Sequence, residues 1–323
     1  SVSAFLLNRS SDLDLPIRLS HGGNQAIFNG LLAVANDADL YITCYFRRRV
    51  KSAQEQLNVL AERLPTAQII PYYDHLSNKD KIERLYELFR EIYLMSKTDI
   101  EVSHMFDFMP KREGFLNVIN DLVDKYNIDI VQTEMLRNLS ILASCPSEVK
   151  KLFVHHELGY VRNSLFLEGR MELSFRTLAK IAKATEIGLL NECDAVMTLS
   201  KIDTQKLKDE GVTTNVYSSF SVVEVKGNSA QEVSDECHLL TFVGPEGHTP
   251  NYIGLSWFLD NCWNELLLKD PNYKLQVIGS WTEASKEKFC AQYNNIQFLG
   301  FVPDLREALK NSIMIVPITI GSG

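Results

Sequence analysis

The chain has 323 residues, which at about 150 residues per domain allows two domains, and its 45% hydrophobic content is that of an ordinary folded protein. Lys and Arg number 33 against 41 Asp and Glu, and a net charge of -8 excludes a general nucleic-acid binder, which needs a basic face. No apolar run reaches the roughly 18 residues of a membrane span, and Ser1-Val2-Ser3 leads into a strand-like run rather than a secretion signal, so the chain is expected in the cytoplasm.

Short apolar runs alternate with longer helical patterns almost from end to end, the mark of βαβ units and a parallel sheet. Strands are predicted over 2–7, 40–46, 68–72, 129–132, 152–156 and 195–199, with a helix over 81–95 among the segments between them. The first two hundred residues therefore read as one doubly wound domain. From 225 to 237 the composition turns polar and loses any apolar face, as expected of an exposed connection. This divides the chain into a first domain over 1–224, a linker over 225–237 and a second domain over 238–323. The rhythm then restarts, with strands over 239–243, 275–278, 296–299 and 313–316 and helices over 251–268, 283–292 and 305–310. Only four strands are visible where an open doubly wound sheet commonly has about six, so the second domain is expected to be truncated at its carboxyl end.

The six cysteines, Cys44, Cys145, Cys193, Cys237, Cys262 and Cys290, form no Cys-x-x-Cys pair and no zinc-type spacing, and read as reduced, mostly buried thiols. Asp12-Leu13-Asp14 and Asp37-Ala38-Asp39 have the form of a metal-binding pair of carboxylates. One sits in an early loop and the other at the wrong end of the sheet, so no metal is expected. Arg176, Lys180 and Lys183 stand at helical spacing beside Leu178 and Ile181. The bland reading, a solvated helix face, is favoured over contact with an anionic membrane surface.

Ligands of open α/β sheets sit beyond the carboxyl ends of the strands. After the first strand come Gly22 and Gly23, where paired glycines allow close backbone approach and Asn24 can start a helix whose amides point at an anion; plain chain reversal is an equal alternative. At the end of the fifth strand stand His155, His156 and Glu157. Strand alternation sends the two histidines to opposite faces, and strand-end capping competes with a functional role. The first strand of the second domain runs into Gly244-Pro245-Glu246-Gly247-His248-Thr249-Pro250-Asn251 ahead of a helix, a loop suited to phosphate. It is neither the G-x-G-x-x-G dinucleotide fingerprint nor a Walker loop, which weakens nicotinamide and ATP readings. A second glycine-rich loop, Gly321-Ser322-Gly323, follows the last strand and faces the same crevice, so the pair suggests a diphosphate.

Taken in order, the motifs of the second domain resemble glycosyltransferase family four, retaining enzymes of the GT-B fold. Phe242-Val243-Gly244 through His248-Thr249-Pro250-Asn251, with Gly254-Leu255-Ser256-Trp257-Phe258 and Trp263, is similar to the family's first donor-domain βα unit. Val277-Ile278-Gly279 is similar to its second strand, Phe298-Leu299-Gly300-Phe301-Val302-Pro303-Asp304-Leu305 to its base-binding segment, and Val316-Pro317-Ile318 to Gly321-Ser322-Gly323 to its phosphate loop. In the looser first half, Gly22-Gly23 resembles the glycine pair after the first strand and His156-Glu157 a His-Asp-like pair at the domain interface. Of His155 and His156 the second is the favoured match. The family places basic residues and a glutamate after the phosphate loop, and the sequence ends at Gly323, before the positions that would match them.

The resemblance implies two Rossmann-like domains facing a cleft, the first for the acceptor and the second for a nucleotide sugar. It implies transfer of a hexose-like sugar from a UDP- or GDP-sugar to a glycan, lipid or small-molecule acceptor with retention of configuration, as in polysaccharide biosynthesis. No cofactor is implied beyond the donor substrate. His155 or His156 would contact the donor sugar, while Gly22, Gly23, Gly244, Glu246, His248, Asn251, Gly279, Phe301, Val302, Gly321, Ser322 and Gly323 would line the substrates. Two other readings stand beside it: a non-catalytic sugar-nucleotide or glycan-binding protein of the same fold, and a nicotinamide oxidoreductase, which the missing fingerprint disfavours.

Overall fold

Apolar side chains at both parities of a short strand mark a parallel strand covered by helices on both faces. The computed structural model follows this rule: in β2 (Ala38–Phe46), Leu40 and every residue of 42–46 are buried. The structure describes residues 2–9, 22–46, 51–73, 113–166, 173–220 and 237–318, with isolated positions at 82, 85, 86 and 89. The chain divides into two units, Ser1–Glu224 and Val225–Ser322. Apart from Cys237, the predicted linker lies outside the described residues, as does most of the helix expected over 81–95.

The first unit is built on a seven-stranded sheet in the order β3-β2-β1-β4-β5-β6-β7. Its other strands are β1 (Val2–Arg9), β3 (Gln68–Tyr73), β4 (Ile130–Glu134), β5 (Lys150–His155), β6 (Ala195–Thr198) and β7 (Asn215–Ser218), and every pairing is parallel. The described helices are α1 (Gly22–Val34), α2 (Lys51–Arg63), α3 (Glu113–Tyr126), α4 (Leu139–Ala143), α5 (Gly159–Phe166), α6 (Leu173–Asn191) and α7 (Lys201–Asp209). Strand alternation splits the core in two. Tyr45 joins Phe115, Ile119, Val131, Phe153 and Val196 in one cluster, while its neighbours Cys44 and Phe46 join Ile27, Ile42 and Leu60 in the other. Phe115, Ile119, Leu122 and Val123 recur at helical spacing on α3 and are all buried, which presses that helix onto the sheet. Strand β7 was not legible beforehand, because of its four residues only Val216 is buried.

The second unit has four described strands, β8 (Leu239–Val243), β9 (Lys274–Ile278), β10 (Ile296–Gly300) and β11 (Ile313–Ile315), all parallel and ordered β10-β9-β8-β11. The helix expected over 251–268 is three pieces: α8 (Thr249–Phe258), a π-helical turn (Leu259–Trp263) and α9 (Asn264–Lys269). Leu259 and Trp263, at the two ends of the wide turn, are both 0% exposed, and the Trp263 indole N–H donates to the Asn294 carbonyl at 2.9 Å. Trp263→Ala should therefore cost about 3–5 kcal/mol of unfolding free energy, read from the urea midpoint of the second unit. Helices α10 (Glu283–Gln292) and α11 (Leu305–Leu309) complete the described part. None of the described helices is long and apolar enough to cross a membrane.

The two sheets share one winding rule. Three strands step outward in one direction, and the fourth pairs with the first on its other side. The reversal falls between β1 and β4 in one unit and between β8 and β11 in the other. Loops leaving the carboxyl ends of such a pair diverge and leave a crevice, the usual ligand site of an open parallel sheet.

Candidate functional site

In the first unit, β4 ends in Glu134, and the next residue, Met135, has φ 67 and ψ 132, a conformation sparsely populated by residues with a side chain. Such strain costs on the order of 1–3 kcal/mol and survives only where the surroundings over-determine it. Here the buried Asn138 closes the turn from both sides: its side-chain amide donates to the Glu134 carbonyl at 2.9 Å and its backbone N–H to the Met135 carbonyl at 3.0 Å. The glycine pair Gly22-Gly23 opens α1, and a Cβ on Gly23 would stand 3.1 Å from the Met135 methyl. The β4 turn and the start of α1 thus meet at the reversal point.

His156 follows β5 at the same edge. Its Nε2 lies 2.6 Å from Glu134 Oε2, with both side chains largely buried. The other carboxylate oxygen of Glu134 accepts from the Gln132 amide at 3.2 Å. The neighbouring Glu157 pairs with Arg162 at 3.2 Å.

His155 has a different post. It is the last residue of β5 and only 3% exposed, and its Nε2 meets Glu186 Oε1 at 2.9 Å. The same carboxylate accepts the backbone N–H groups of Gly159 and Tyr160 at 3.1 and 2.9 Å, so Glu186 caps the start of α5 from inside the core. A Cβ on Gly159 would run into the Leu136 side chain and lie 2.9 Å from Glu186 Oε2, which explains the glycine. The His155–Glu186 pair holds the β5–α5 turn in place and has no access to a substrate. Glu186→Ala leaves the His155 ring and two amides without their acceptor and should cost about 3 kcal/mol or more by thermal or urea unfolding.

In the second unit the edge is built from close backbone approaches. Gly244 N–H donates to the Ile278 carbonyl at 2.8 Å, and the Gly244 carbonyl accepts from the Trp281 indole at 2.9 Å. Gly279, at φ +134, has no room for a Cβ, which would fall 2.5 Å from the Gly244 oxygen. Its N–H donates to the Gly300 carbonyl at 2.9 Å, which brings the end of β10 and the adjoining Phe301 onto the same rim. Phe301 is 83% exposed and Val302 half-buried. A Cβ on Gly254 would fall 2.5 Å from the Pro317 carbonyl, so the chain leaving β11 lies against α8 beside the Gly244 loop.

Three of the loop's polar residues differ in what they are free to do. Asn251 folds back over Gly244 and donates to the Pro245 carbonyl at 3.0 Å. Glu246 accepts from Thr282 N–H at 2.5 Å, from Thr282 Oγ1 at 3.2 Å and from Ser285 Oγ at 2.5 Å, which anchors the start of α10. Partial burial pulls its carboxyl upward, but the hydrogen bonds from Ser285 and Thr282 outweigh this and hold it below the usual glutamate range. Asn251 and Glu246 therefore build the loop rather than reach from it. His248 is exposed and makes no capping bond at the start of α8.

The predicted residues Gly244, Glu246, His248, Asn251, Gly279, Phe301 and Val302 share the carboxyl edge of one sheet, and Gly22, Gly23 and His156 share that of the other. Gly321, Ser322 and Gly323 lie outside the described residues. Glu134 was missed because the predicted strand stopped at Gln132; the rule that singled out His156, a polar side chain where a parallel strand ends, selects Glu134 too. Of the basic residues on α6, Lys183 pairs with Glu210 at 2.5 Å and lies over the Tyr160 ring, while Arg176 and Lys180 are exposed. Burial pushes the Cys44 thiol up to about 12, and mainly burial does the same for Cys145 and Cys193, so these cysteines stay protonated and unreactive. Among the described residues no three His, Cys, Asp or Glu side chains gather as metal ligands would.

This fold is that of the GT-B glycosyltransferases. No family profile matches the chain, and no curated protein sequence matches it. Solved structures do. The chain is similar to TarM, with a TM-score of 0.62 at 10% identity, covering 97% of this chain and 79% of that one. It is similar at TM-score 0.61 and 9% identity, over 97% and 80%, to a mutant of S. aureus TarM in complex with fondaparinux, alpha-GlcNAc-glycerol and UDP. Sucrose-phosphate synthase from Thermosynechococcus elongatus matches at TM-score 0.56 and 11% identity, over 94% and 71%.

Proposed function

We propose that this protein is a glycosyltransferase that moves a sugar from a nucleoside diphosphate sugar to a glycan or lipid-linked acceptor with retention of configuration. The observation that carries this reading is the edge of the second unit. Gly244, Gly279 and Gly300 bring three strand ends together with almost no side-chain bulk, beside a helix start and an exposed aromatic ring.

Each part has a task. The start of α8 carries a partial positive charge, and the N–H groups of Gly247 and Thr249 have no acceptor among the described residues, so a diphosphate fits there. Phe301 offers its face to a base. As the bond to the departing diphosphate breaks, negative charge grows on its oxygens, and fixed amides stabilise that charge without reorganising. In the first unit, His156 and the Gly22-Gly23 turn attend the sugar and the acceptor. Retention needs no protein nucleophile when the acceptor hydroxyl attacks from the face the diphosphate leaves, which suits an edge where Glu134 and Glu246 are both engaged by neighbours.

The support from the neighbours is that a TarM mutant was solved with UDP and that an E. coli protein described as trehalose-6-phosphate, at TM-score 0.50 and 12% identity, was solved bound with UDP-2-fluoro-glucose. A thermal-shift panel of UDP, GDP, their sugars and NAD tests the reading on the intact chain. One nucleoside diphosphate at 100 times its dissociation constant should add about 2.7 kcal/mol of stability. A response to NAD alone would point to the oxidoreductase instead. Transfer is also expected to persist in EDTA, and loss on chelation with recovery by a divalent cation would contradict the metal-free mechanism.

A further inference from the structure

We infer that Glu134 is a positioning residue: it holds His156 in the tautomer protonated at Nε2, so that Nδ1 is presented as a hydrogen-bond acceptor to a hydroxyl of the sugar substrate. The inference rests on the glycosyl-transfer reading above. Glu134 ends β4 and His156 follows β5, and the register of these neighbouring strands sets Glu134 opposite Val154, two residues before His156. The two side chains therefore rise from adjacent strand ends on the same edge.

Their separation of 2.6 Å is short for a nitrogen–oxygen contact, and only 8% of the Glu134 side chain and 12% of the His156 side chain remain exposed. The carboxylate cannot rotate away. Its second oxygen is held by Gln132, and the backbone behind it is fixed by Asn138 and the strained Met135. An ionised carboxylate only accepts hydrogen bonds, so the ring nitrogen facing it must carry the proton. A neutral imidazole has a single N–H, which leaves Nδ1 as a bare acceptor, and among the described residues nothing donates to it.

The consequence is chemical selectivity. An acceptor at Nδ1 is complementary to a hydroxyl, which can donate, and is mismatched to a phosphate oxygen, which cannot. His156 is therefore matched to a sugar hydroxyl rather than to a phosphate oxygen. The arrangement parallels the general way in which a partner on one imidazole nitrogen fixes what the other can do.

The test is the tautomer itself. Long-range ¹H–¹⁵N spectra of the full chain labelled with ¹⁵N-histidine contain seven imidazoles, and the His156 signals are those absent from His156→Gln. In its neutral form His156 should carry its proton on Nε2 and not on Nδ1. In Glu134→Gln, which keeps the shape but offers the ring both a donor and an acceptor, the single tautomer should give way to a mixture. Turnover should fall about ten-fold, with the affinity for free nucleoside diphosphate unchanged. A neutral wild-type ring protonated at Nδ1, or an unaltered spectrum and rate in Glu134→Gln, would overturn the inference. The spectrum needs no turnover: a correct tautomer in a chain that transfers no sugar sinks the glycosyl-transfer reading, while transfer by a chain with the wrong tautomer sinks this inference alone.

Discussion

Replacing His156 by alanine is expected to slow glycosyl transfer by roughly 100-fold or more at saturating donor, the scale on which one well-placed transition-state hydrogen bond acts. The ring stands at the end of β5 beside the reversal point of the first sheet, and its only partner among the described residues is Glu134. Removing it leaves the Glu134 carboxylate with Gln132 on one oxygen and no partner from His156 on the other, which should cost about 1–3 kcal/mol. The variant should stay folded. His155→Ala should behave in the opposite way. That ring is part of the buried Glu186 cap, so its loss should lower the melting temperature first and affect rate only through stability. Steady-state rates paired with unfolding curves separate the two. Equal rates for His156→Ala and the parent chain would remove His156 from the mechanism.

Gly279→Ala should be the most damaging single methyl in the second unit. At φ +134 the residue occupies a region that L side chains rarely enter, and the added carbon would lie 2.5, 2.7 and 2.9 Å from Gly244 O, Gly244 C and Pro245 N. All three are backbone atoms. They cannot retreat, because Gly244 is held by Ile278 through its N–H and by Trp281 through its carbonyl. A loss of about 3 kcal/mol or more is expected from the strain and clash together, with nucleotide affinity falling alongside because the same shift displaces the start of α8. Urea unfolding and a nucleotide titration read both effects. Wild-type stability and affinity in this variant would show that the close approach is not needed.

Much of this architecture was legible because parallel strands buried on both faces are written as short continuous apolar runs, and ten of the eleven described strands announced themselves this way. Strand β7 did not, since Tyr217 and its polar neighbours give Val216 no apolar company. The candidate site was legible as positions, because strand ends at a winding reversal are where ligands go, but not as roles. His155 and His156 are adjacent letters of the same type. What separates them is Glu186, thirty-one residues from His155, and Glu134, twenty-two residues before His156, and local pattern carries no such pairing. Glu246 and Asn251 illustrate the same limit. Each is a plausible ligand-facing residue in a glycine-rich loop, and only the fold brings Thr282 and Ser285 to the one and the Pro245 carbonyl to the other. Burial and long-range hydrogen bonding decide which polar residues are left over for chemistry, and both are properties of the folded chain.

The central claim is catalysis of sugar transfer, and the most direct measurement is release of nucleoside diphosphate when the full chain is mixed with a panel of UDP- and GDP-sugars and glycan acceptors, with the product's anomeric configuration read by NMR. One donor is predicted to be consumed in an acceptor-dependent way, with the sugar appearing on the acceptor in its original configuration and the rate falling roughly 100-fold in His156→Ala. Saturable binding of a nucleotide sugar with no consumption of any donor would contradict the account and make the protein a sugar-nucleotide binder that shares the fold.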